Sequence, residues 1–404
     1  MRSRILVRLA NTLLGLFFVC VAYAQVTTGS IAGMVKDNHG EPLAGVAVKI
    51  THVPSGTVYY AVTQGSGNYF IQGIRVGQDF KVEFSFIGFA SKTVEGISIL
   101  LGVQVQLDAT LAERSITLPE VVVTGAAFSK TGAATNVTNQ QIQTLPSINR
   151  SINDFAGLTP QSNGNNSFAG RDRRYNYITV DGAVFNNSFG LSDRISNLPG
   201  GDAQPISIDA IDQISVNIAP FDIRQSNFTG AGINAVTKSG DNTLKGSVYT
   251  YLRPESFAGK TIDGAKYDWD ETAMQTYGLS LGGPLIRDRL FFFVNGEYEK
   301  SNKPSTSWKT STDGNADATN YISRAQTSRL SDLKQHLLDV YGYDPGDWNW
   351  HPFTSENYKV LARVDWNMND RHKVTVRYNQ VVSTNEVLTN ATSVPTGVAR
   401  STYS

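Results

Sequence analysis

Residues that could carry out catalysis or bind a metal are few in this 404-residue chain and are not spaced for such chemistry. None of its five histidines begins an H-E-x-x-H motif, which zinc peptidases use to place their ligands on one helix. The segment from Gly230 to Ala235 has the glycine spacing of a dinucleotide loop, but no βαβ pattern surrounds it. The sequence therefore predicts no catalytic residue, no metal site, no cofactor and no enzymatic activity.

Two polar segments contain residue types that bind ligands. The first surrounds Asp172 with three arginines, which suits an anionic ligand, and a solvated charge cluster is the alternative. The second, residues 186–189, suits a sugar or a peptide, and an ordinary turn is the alternative. The predicted ligand contacts are Arg173, Arg174, Asn186, Asn187 and Phe189.

A short extended segment lies between two longer regular regions. Pro119 and Gly125 bracket four consecutive β-branched residues, 121–124. One more strand of a neighbouring sheet explains this composition. On composition alone this ordinary strand is the favoured interpretation. The position of the segment between two regions favours the alternative, a free strand that pairs with the sheet edge of a partner protein.

Composition limits the protein to a few classes. Lys and Arg total 35 and Asp and Glu total 35, so the chain lacks the basic excess that nucleic-acid binding requires. Only 17% of residues are charged, while 36 glycines, 17 tyrosines and 19 phenylalanines indicate a mainly β protein. At the N-terminus, basic residues precede the apolar segment 13–21 and the small-residue site 22–24, which predicts a signal peptide over residues 1–24.

Alternation with a period of two predicts strands at both ends of the mature chain. Within residues 25–112, apolar and polar residues alternate around Ile31 and again over Phe80–Phe86. This alternation predicts an antiparallel sandwich of about seven strands. Beyond residue 242, apolar residues such as Tyr358 and Val360 alternate with polar residues such as Lys359, which is the pattern of a membrane barrel around a wet interior. Five strands are predicted, at 246–253, 273–283, 289–299, 356–366 and 373–382.

The connections between these five strands alternate between long and short. Outer-membrane barrels join their strands by short periplasmic turns and longer extracellular loops, so this order predicts a chain that crosses a bilayer repeatedly. Within the loop 300–355, apolar residues from Leu330 to Val340 predict an amphipathic helix that ends at Gly342. Short helices are predicted over 140–145 and 149–158.

These segments resemble, in order, the parts of one known family. The stretch GMVKDNHGEPLAGVAVKI resembles the carboxypeptidase regulatory-like, transthyretin-like module. Residues 118–125 resemble the TonB box of TonB-dependent outer-membrane receptors, and residues 282–293 resemble a short turn of the Oar-like subgroup. The box residues are Glu120, Val121, Val122, Val123, Thr124 and Gly125. Residues that resemble motifs of the plug domain are Gly170, Arg171, Asp181, Gly182, Gly230, Gly232, Lys238 and Gly240.

The resemblance implies a mainly β chain with a transthyretin/Ig-like sandwich over 25–112, a linker with the TonB box over 113–128, an α+β plug domain over 129–241 and the first strands of a transmembrane antiparallel β-barrel over 242–404. It implies location in the outer membrane, with the N-terminal domain in the periplasm. The implied partners are outer-membrane lipid, an unknown small ligand, and the TonB–ExbB–ExbD complex acting through the box. Nucleic acid is not among them.

The function implied by this resemblance is energy-coupled uptake of a scarce ligand such as a siderophore, an oligosaccharide or a peptide. A non-transporting adhesin or surface scaffold of the Oar-like type is the alternative. The resemblance implies a barrel of 22 strands. Those strands alone need roughly 220 residues, at about 10 residues per strand. The sequence after residue 242 is shorter, so we expect a fragment or a truncated product.

Overall fold

The chain is mainly β in the computed structural model, and three short α-helices accompany the strands among the residues described. These residues are 27–113, 122–123, 127–129, 133–147, 150–164, 166–186, 204–220, 225, 228–257, 259, 261–266, 273–303, 309–320, 322–345, 353–388 and 400–403. The predicted signal peptide lies outside the described residues.

The N-terminal region is a two-sheet sandwich built from alternating strands. Its strands are β1 (Thr28–Asp37), β2 (Ala47–His52), β3 (Thr57–Val62), β4 (Asn68–Arg75), β5 (Gly77–Ser85), β6 (Lys92–Ile99), β7 (Gln104–Gln106) and β8 (Ala109–Leu111). Two short strands follow, β9 (Val122–Val123) and β10 (Ala127–Ser129). One sheet has the order β3-β2-β5-β6-β9, and the other has the order β10-β7-β1-β4 with β8 also paired to β1.

Alternation along the sandwich strands produces its core. Ile31, Val35, Phe80 and Phe84 are fully buried, as their predicted common face requires. The region contains eight strands before residue 113 instead of the predicted seven or so. The segment after β6 accounts for the difference, since it forms two short strands that pair in parallel with successive parts of β1.

The central segment combines a mixed sheet with two short helices. Its elements are β11 (Ala133–Thr138), α1 (Asn139–Thr144), α2 (Ile152–Ala156), β12 (Tyr177–Val180), β13 (Ala183–Val184), β14 (Ile211–Ile218) and β15 (Gly232–Thr237). The strand order is β11-β14-β15-β12-β13, with β12 and β15 parallel. Helix α2 is shorter than the predicted 149–158 because Ser151 caps its start, where its Oγ accepts from the backbone N–H of Asp154 at 3.2 Å, and Gly157 caps its end.

The C-terminal region is an antiparallel meander with two short excursions. Its elements are β16 (Lys245–Arg253), β17 (Thr261–Ile262), β18 (Ala265–Lys266), β19 (Ala273–Ile286), β20 (Leu290–Lys303), β21 (Lys309–Ser311), β22 (Ile322–Gln326), α3 (Thr327–Tyr341), β23 (Phe353–Asn367), β24 (Lys373–Leu388) and β25 (Arg400–Tyr403). The main sheet of the meander, named the barrel sheet, has the order β16-β19-β20-β23-β24-β25. All five predicted long strands are confirmed, and so is the end of the loop helix at Gly342, which has φ +60°.

The two faces of the meander differ as the sequence predicts, with one correction. On β23, Tyr358 is 51% exposed whereas Lys359 is 3% exposed. The inward face is not wet here, because Leu361 of β23 and Phe293 of the neighbouring strand β20 pack into the apolar core of the central segment. The predicted watery interior is therefore occupied here by protein. No helix in the described part of the chain combines the length and the apolar composition that a bilayer crossing requires.

The sandwich lies against the short-turn end of the meander. Asn367 Nδ2 donates to Thr57 Oγ1 at 3.0 Å, and Lys373 Nζ donates to the carbonyl oxygen of Val58 at 3.1 Å. The backbone N–H of Asn242 donates to the carbonyl oxygen of Pro54 at 2.9 Å. Sandwich, central segment and meander therefore meet at one end of the barrel sheet.

Candidate functional site

The turn after β12 joins two strands of the central sheet. Asp181 has φ +50° and Gly182 has φ +86°, a left-handed pair that glycine adopts without strain at the second position. The Asp181 carboxylate accepts from the backbone N–H of Thr237 at 2.9 Å and from its hydroxyl at 2.6 Å. The ends of β12 and β15 are thus held together by one aspartate.

Two arginines of the barrel sheet bind the corner of the central sheet at which β12 and β15 end. Arg363 Nη1 donates to the carbonyl oxygen of Thr237 at 2.7 Å, and Asp365 holds the guanidinium with two bonds of 2.7 and 2.9 Å. Arg377 Nε lies 3.2 Å from the Asp181 carboxylate, and its Nη1 donates to the Asp181 carbonyl oxygen at 3.1 Å. Neighbouring strands β23 and β24 therefore grip one end of the central sheet.

A second polar contact joins the central segment to the barrel wall. Glu297 accepts from Ser207 Oγ at 2.6 Å and from the Tyr249 hydroxyl at 2.7 Å. Lys359 Nζ lies 2.9 Å from Glu297 and 3.2 Å from Glu299. The Lys359 and Glu297 side chains are each only 4% exposed, so each depends on the other for compensation of its charge.

The glycines of the predicted plug motif occupy sites of close approach. A Cβ at Gly240 would lie 2.4 Å from the carbonyl oxygen of Phe292 and 2.7 Å from that of Gly283, both in the barrel sheet. A Cβ at Gly230 would lie 2.4 Å from Asn176 Oδ1. Gly232 is also a site of close approach, since its Cβ would meet the Phe228 ring, whereas Gly170 has open space around it and a left-handed φ of +74°.

Lys238, the basic member of the motif, connects two parts of the central segment. Its Nζ lies 3.8 Å from the Asp209 carboxylate, and its backbone N–H donates to the Ala210 carbonyl oxygen at 2.8 Å. Both partners belong to the turn before β14, so Lys238 fixes the end of β15 to that turn. The contact is internal to the segment.

The sandwich contributes a third set of contacts through Gln213 on β14. Its Oε1 accepts from the backbone N–H of Leu101 at 3.0 Å, and its Nε2 donates to the carbonyl oxygen of Ile99 at 3.2 Å. Val76 and Leu101 of the sandwich pack against Val236 of β15 beside these bonds. One buried glutamine therefore joins the central sheet to the end of strand β6.

Arg75 brings a cation of the sandwich to the corner that Arg363 and Asp365 occupy. Its guanidinium donates to Ser239 Oγ, and a cavity of about 210 Å³ lies between it, Arg363 and Asp212. Burial lowers the pKa of Arg75, and the nearby charge of Arg363 lowers it further. Burial also raises the pKa of Asp212, although the positive charges of Arg75 and Lys238 oppose that rise.

A buried histidine lies on the sandwich side of this junction. His52 Nδ1 is 2.6 Å from Ser55 Oγ, which in turn is 2.7 Å from Thr57 Oγ1. Burial, with the positive charge of Arg75 as the second cause, lowers the pKa of His52 to about 3. The imidazole is therefore neutral at ordinary pH and serves as a hydrogen-bonding core residue.

Of the predicted ligand contacts, the two arginines lie at the surface and Asn186 is half-buried. Arg171, Arg173 and Arg174 are exposed, and Arg174 Nε lies 3.1 Å from Asp172, whose pKa is lowered chiefly by the hydrogen bond from the Arg174 backbone N–H. Asn186 Oδ1 accepts from the backbone N–H of Ile178 at 2.6 Å, so Asn186 closes a turn. Asn187 and Phe189 lie outside the described residues.

Val122 and Val123, the two described residues of the predicted TonB box, do not lie in the free strand that the sequence favours. Val122 and Val123 form β9, which pairs in parallel with Thr93 and Val94 of β6. This corrects the prediction, because β6 would otherwise leave the N–H and C=O groups of a sheet edge unpaired and the linker satisfies them. The other four residues of the predicted box, Glu120, Val121, Thr124 and Gly125, lie outside the described residues.

Sequence reasoning missed most of the residues that hold the three parts together. Arg363 and Lys359 were recognised only as members of a polar strand face, and Arg75, Gln213 and Ser207 were not singled out. Oppositely charged residues on the inward face of neighbouring strands, such as Glu297 and Lys359, were the available signal. Among the described residues, no group of three or more histidine, cysteine, aspartate or glutamate side chains is placed to hold a metal ion.

Family models match both ends of the chain. Residues 236–403 match the model described as an outer membrane beta barrel domain, and residues 30–112 match the carboxypeptidase regulatory-like domain. The barrel match places the protein in the outer membrane.

Curated relatives are similar over longer stretches. The TonB-dependent transporter Oar of Myxococcus xanthus is 28% identical over 304 residues, which is 69% of this chain and 27% of that protein. The probable TonB-dependent siderophore receptor PirA of Acinetobacter baumannii is 28% identical over 182 residues, which is 41% of this chain and 22% of that protein. The chain thus spans about a quarter of the length of these relatives, which are described as a transporter and a receptor.

The chain is also similar to solved structures of outer-membrane proteins. The siderophore receptor PirA from Acinetobacter baumannii has a TM-score of 0.40 at 17% identity, covering 63% of this chain and 31% of that one. The outer membrane transporter YddB from Escherichia coli has a TM-score of 0.43 at 14% identity, covering 63% of this chain and 34% of that one.

Proposed function

Because the chain is a homologue of the Oar-type TonB-dependent transporters, we propose that it forms part of an energy-coupled outer-membrane receptor. Its ligand is scarce and small, such as a siderophore, an oligosaccharide or a peptide. The central segment acts as the plug of the barrel, and the segment containing Val122 and Val123 is gripped by the TonB–ExbB–ExbD complex. The sandwich lies on the periplasmic side, at the short-turn end of the barrel sheet.

The observation that carries this proposal is the way the central segment is seated on the inward face of the barrel strands. The contacts at its corner are hydrogen bonds and ion pairs, in which Arg363 binds Thr237 and Arg377 binds Asp181. Such contacts can be exchanged for bonds to water when a plug moves, whereas an extensive apolar interface loses its stabilisation on opening. The seat therefore suits a segment that must be both fixed and movable.

The coupling step is a pull on the backbone of the box. A partner strand added to an extended segment forms several ladder hydrogen bonds, each worth about 0.5–1.5 kcal/mol net. The exposed arginines 173 and 174 suit the recognition of an anionic ligand before that pull.

Substitution in the box tests the proposal in cells. Val123→Pro removes a backbone donor that the ladder needs, while Val123→Ile retains both the donor and the preference for a strand. We expect the proline variant to lose at least tenfold in energised accumulation of iron-loaded siderophore, labelled oligosaccharide or labelled peptide, whichever the parent takes up. The isoleucine variant should match the parent at equal outer-membrane content.

A protonophore distinguishes energised uptake from passive binding. The parent should fall to the level of the proline variant when the protonophore is added, because coupling draws on the inner-membrane potential through TonB. If the parent accumulates none of the three probes and the proline variant still supports surface adhesion, the protein is the non-transporting scaffold.

A further inference from the structure

We propose that the sandwich holds the coupling segment as an added strand in the resting protein, so that the TonB strand must displace it before it can pull. This inference rests on the proposed coupling role of the box. It concerns the access of the partner to the segment, which the family resemblance does not address. The sandwich then acts as a competitor for the segment that precedes the plug.

Strand pairing within the box and just after it supports this inference. Val122 and Val123 pair in parallel with Thr93 and Val94 at the edge of one sheet. A few residues later, β10 pairs antiparallel with β7 at the edge of the other sheet, from Ala127 opposite Gln106 to Ser129 opposite Gln104. The linker thus supplies the outermost strand of both sheets.

The number of residues between these two strands fits a crossing from sheet to sheet. Packed sheets lie about 10 Å apart. Four residue steps separate Val123 from Ala127, and each extended step spans about 3.3 Å, so the connection reaches about 13 Å. The two described strands, β9 and β10, belong to different sheets and do not share one ladder.

Continuity is what a strand-adding partner requires. Such a partner gains its affinity from a run of backbone hydrogen bonds along an extended segment. In the resting protein one edge of β9 is already used by β6, and β10 is already paired with β7 in the other sheet. Release from at least one sheet edge is therefore needed before the partner obtains its full ladder.

Strand β6 is itself fastened to the central segment. Its last residue, Ile99, accepts from Gln213 Nε2 at 3.2 Å, and Leu101 donates to Gln213 Oε1 at 3.0 Å. The strand that holds the box is therefore in direct contact with β14 of the central sheet. The tether is positioned against the segment whose movement the box is proposed to drive.

A disulfide between β6 and β9 tests the tether in the full-length protein. Thr93 and Val122 are Cα partners in neighbouring strands, which lie about 4.8 Å apart, within the 4.4–6.8 Å that a disulfide allows. The sequence has one cysteine, Cys20, in the predicted signal peptide, so the double variant Thr93→Cys/Val122→Cys introduces the relevant pair. The matched control is Thr93→Cys/Ala127→Cys, whose residues belong to different sheets.

We expect the first pair to cross-link on mild oxidation of the detergent-solubilised protein and the control pair to remain reduced. The purified periplasmic domain of TonB is then titrated onto each oxidised and reduced form. Binding to the oxidised first pair should be at least tenfold weaker than binding to the same protein after reduction. The single variant Val122→Cys measures any effect of the substitution on the box itself.

Each outcome decides a separate claim. Failure of the first pair to cross-link overturns the tether. Cross-linking with equal TonB binding before and after reduction overturns the competition, since the partner then adds to the outer edge of β9. Cross-linking with no TonB binding to the reduced or the parent protein overturns the proposed coupling function, and with it the competition, while the strand pairing itself stands.

Discussion

The contact that holds the central segment against the barrel sheet is most directly tested by removing the charge of Arg363. This arginine projects from β23 of the barrel sheet and donates to the carbonyl oxygen of Thr237 at 2.7 Å. It also compensates the negative charge of Asp365, which accepts a further 2.8 Å hydrogen bond from the Thr375 hydroxyl. Arg363→Met keeps much of the aliphatic volume and removes every donor.

The expected magnitude follows from these contacts. A hydrogen bond from a charged donor contributes about 1.5–3 kcal/mol, and breaking a buried ion pair by removing one partner costs about 3–5 kcal/mol. The two effects overlap, so we expect the seated state to lose about 3–5 kcal/mol relative to a displaced state in which water reaches Asp365. Since about 1.4 kcal/mol is a tenfold change, the opening equilibrium should rise by about two to four orders of magnitude.

Thiol labelling of a buried position measures that equilibrium. Ser215 on β14 is 1% exposed, and Ser215→Cys is nearly isosteric, so the new thiol reacts with a maleimide only when the central segment opens. The labelling rate of the full-length protein is compared with and without Arg363→Met. Replacing Asp365 as well, by Asn, should recover part of the loss, because no carboxylate is then left unpaired.

Arg371→Met is the matched control, since Arg371 is exposed in the short turn between β23 and β24. It should leave the labelling rate unchanged. A rate for Arg363→Met within twofold of the parent would refute the argument that this arginine holds the central segment in place.

Three further predictions concern single residues. The pKa of His52 is lowered to about 3, so the folded sandwich excludes a proton that the unfolded chain binds below about pH 6.5. Urea titrations should therefore show the free energy of unfolding of the sandwich falling by about 2 kcal/mol between pH 6.5 and pH 5, and His52→Gln should remove this dependence. Gln213→Ala leaves a buried donor and a buried acceptor unpaired, and hydrogen exchange at residues 99–101 should accelerate at least tenfold. Gly240→Ala should reduce the yield of heat-modifiable folded barrel severalfold, because its Cβ meets barrel backbone, whereas Gly259→Ala has no atom within 4 Å and should fold normally.

The faces and positions of the barrel strands were predictable because they depend on local alternation, although β19, β20, β23 and β24 run three to six residues longer than predicted. A strand places successive side chains on opposite faces, so Tyr358 and Lys359 separate whatever the rest of the chain does. The loop helix was predictable for the same reason, since its apolar period and Gly342 lie within one short segment. Helix α2 was predicted too long because the capping role of Ser151 was overlooked.

The candidate site was predictable only in part. The motif positions Asp181, Gly182 and Gly240 were singled out from the sequence, and the structure places them where the central sheet turns or touches the barrel. Their partners Arg363 and Arg377 were not identified as such. A charged residue on an inward strand face is equally consistent with contact to water, and alternation does not distinguish the two.

The sequence by itself determined the mainly β character, the order of the segments and the outward or inward direction of residues such as Tyr358 and Lys359, because these follow from composition and from short-range periodicity. Only the tertiary structure decided which distant groups meet. Gln213 reaches Leu101 across 112 positions, and Arg363 reaches Thr237 across 126. It also decided that Val122 and Val123 lie on β6, because an extended segment pairs with whichever unsatisfied sheet edge the folded chain brings beside it.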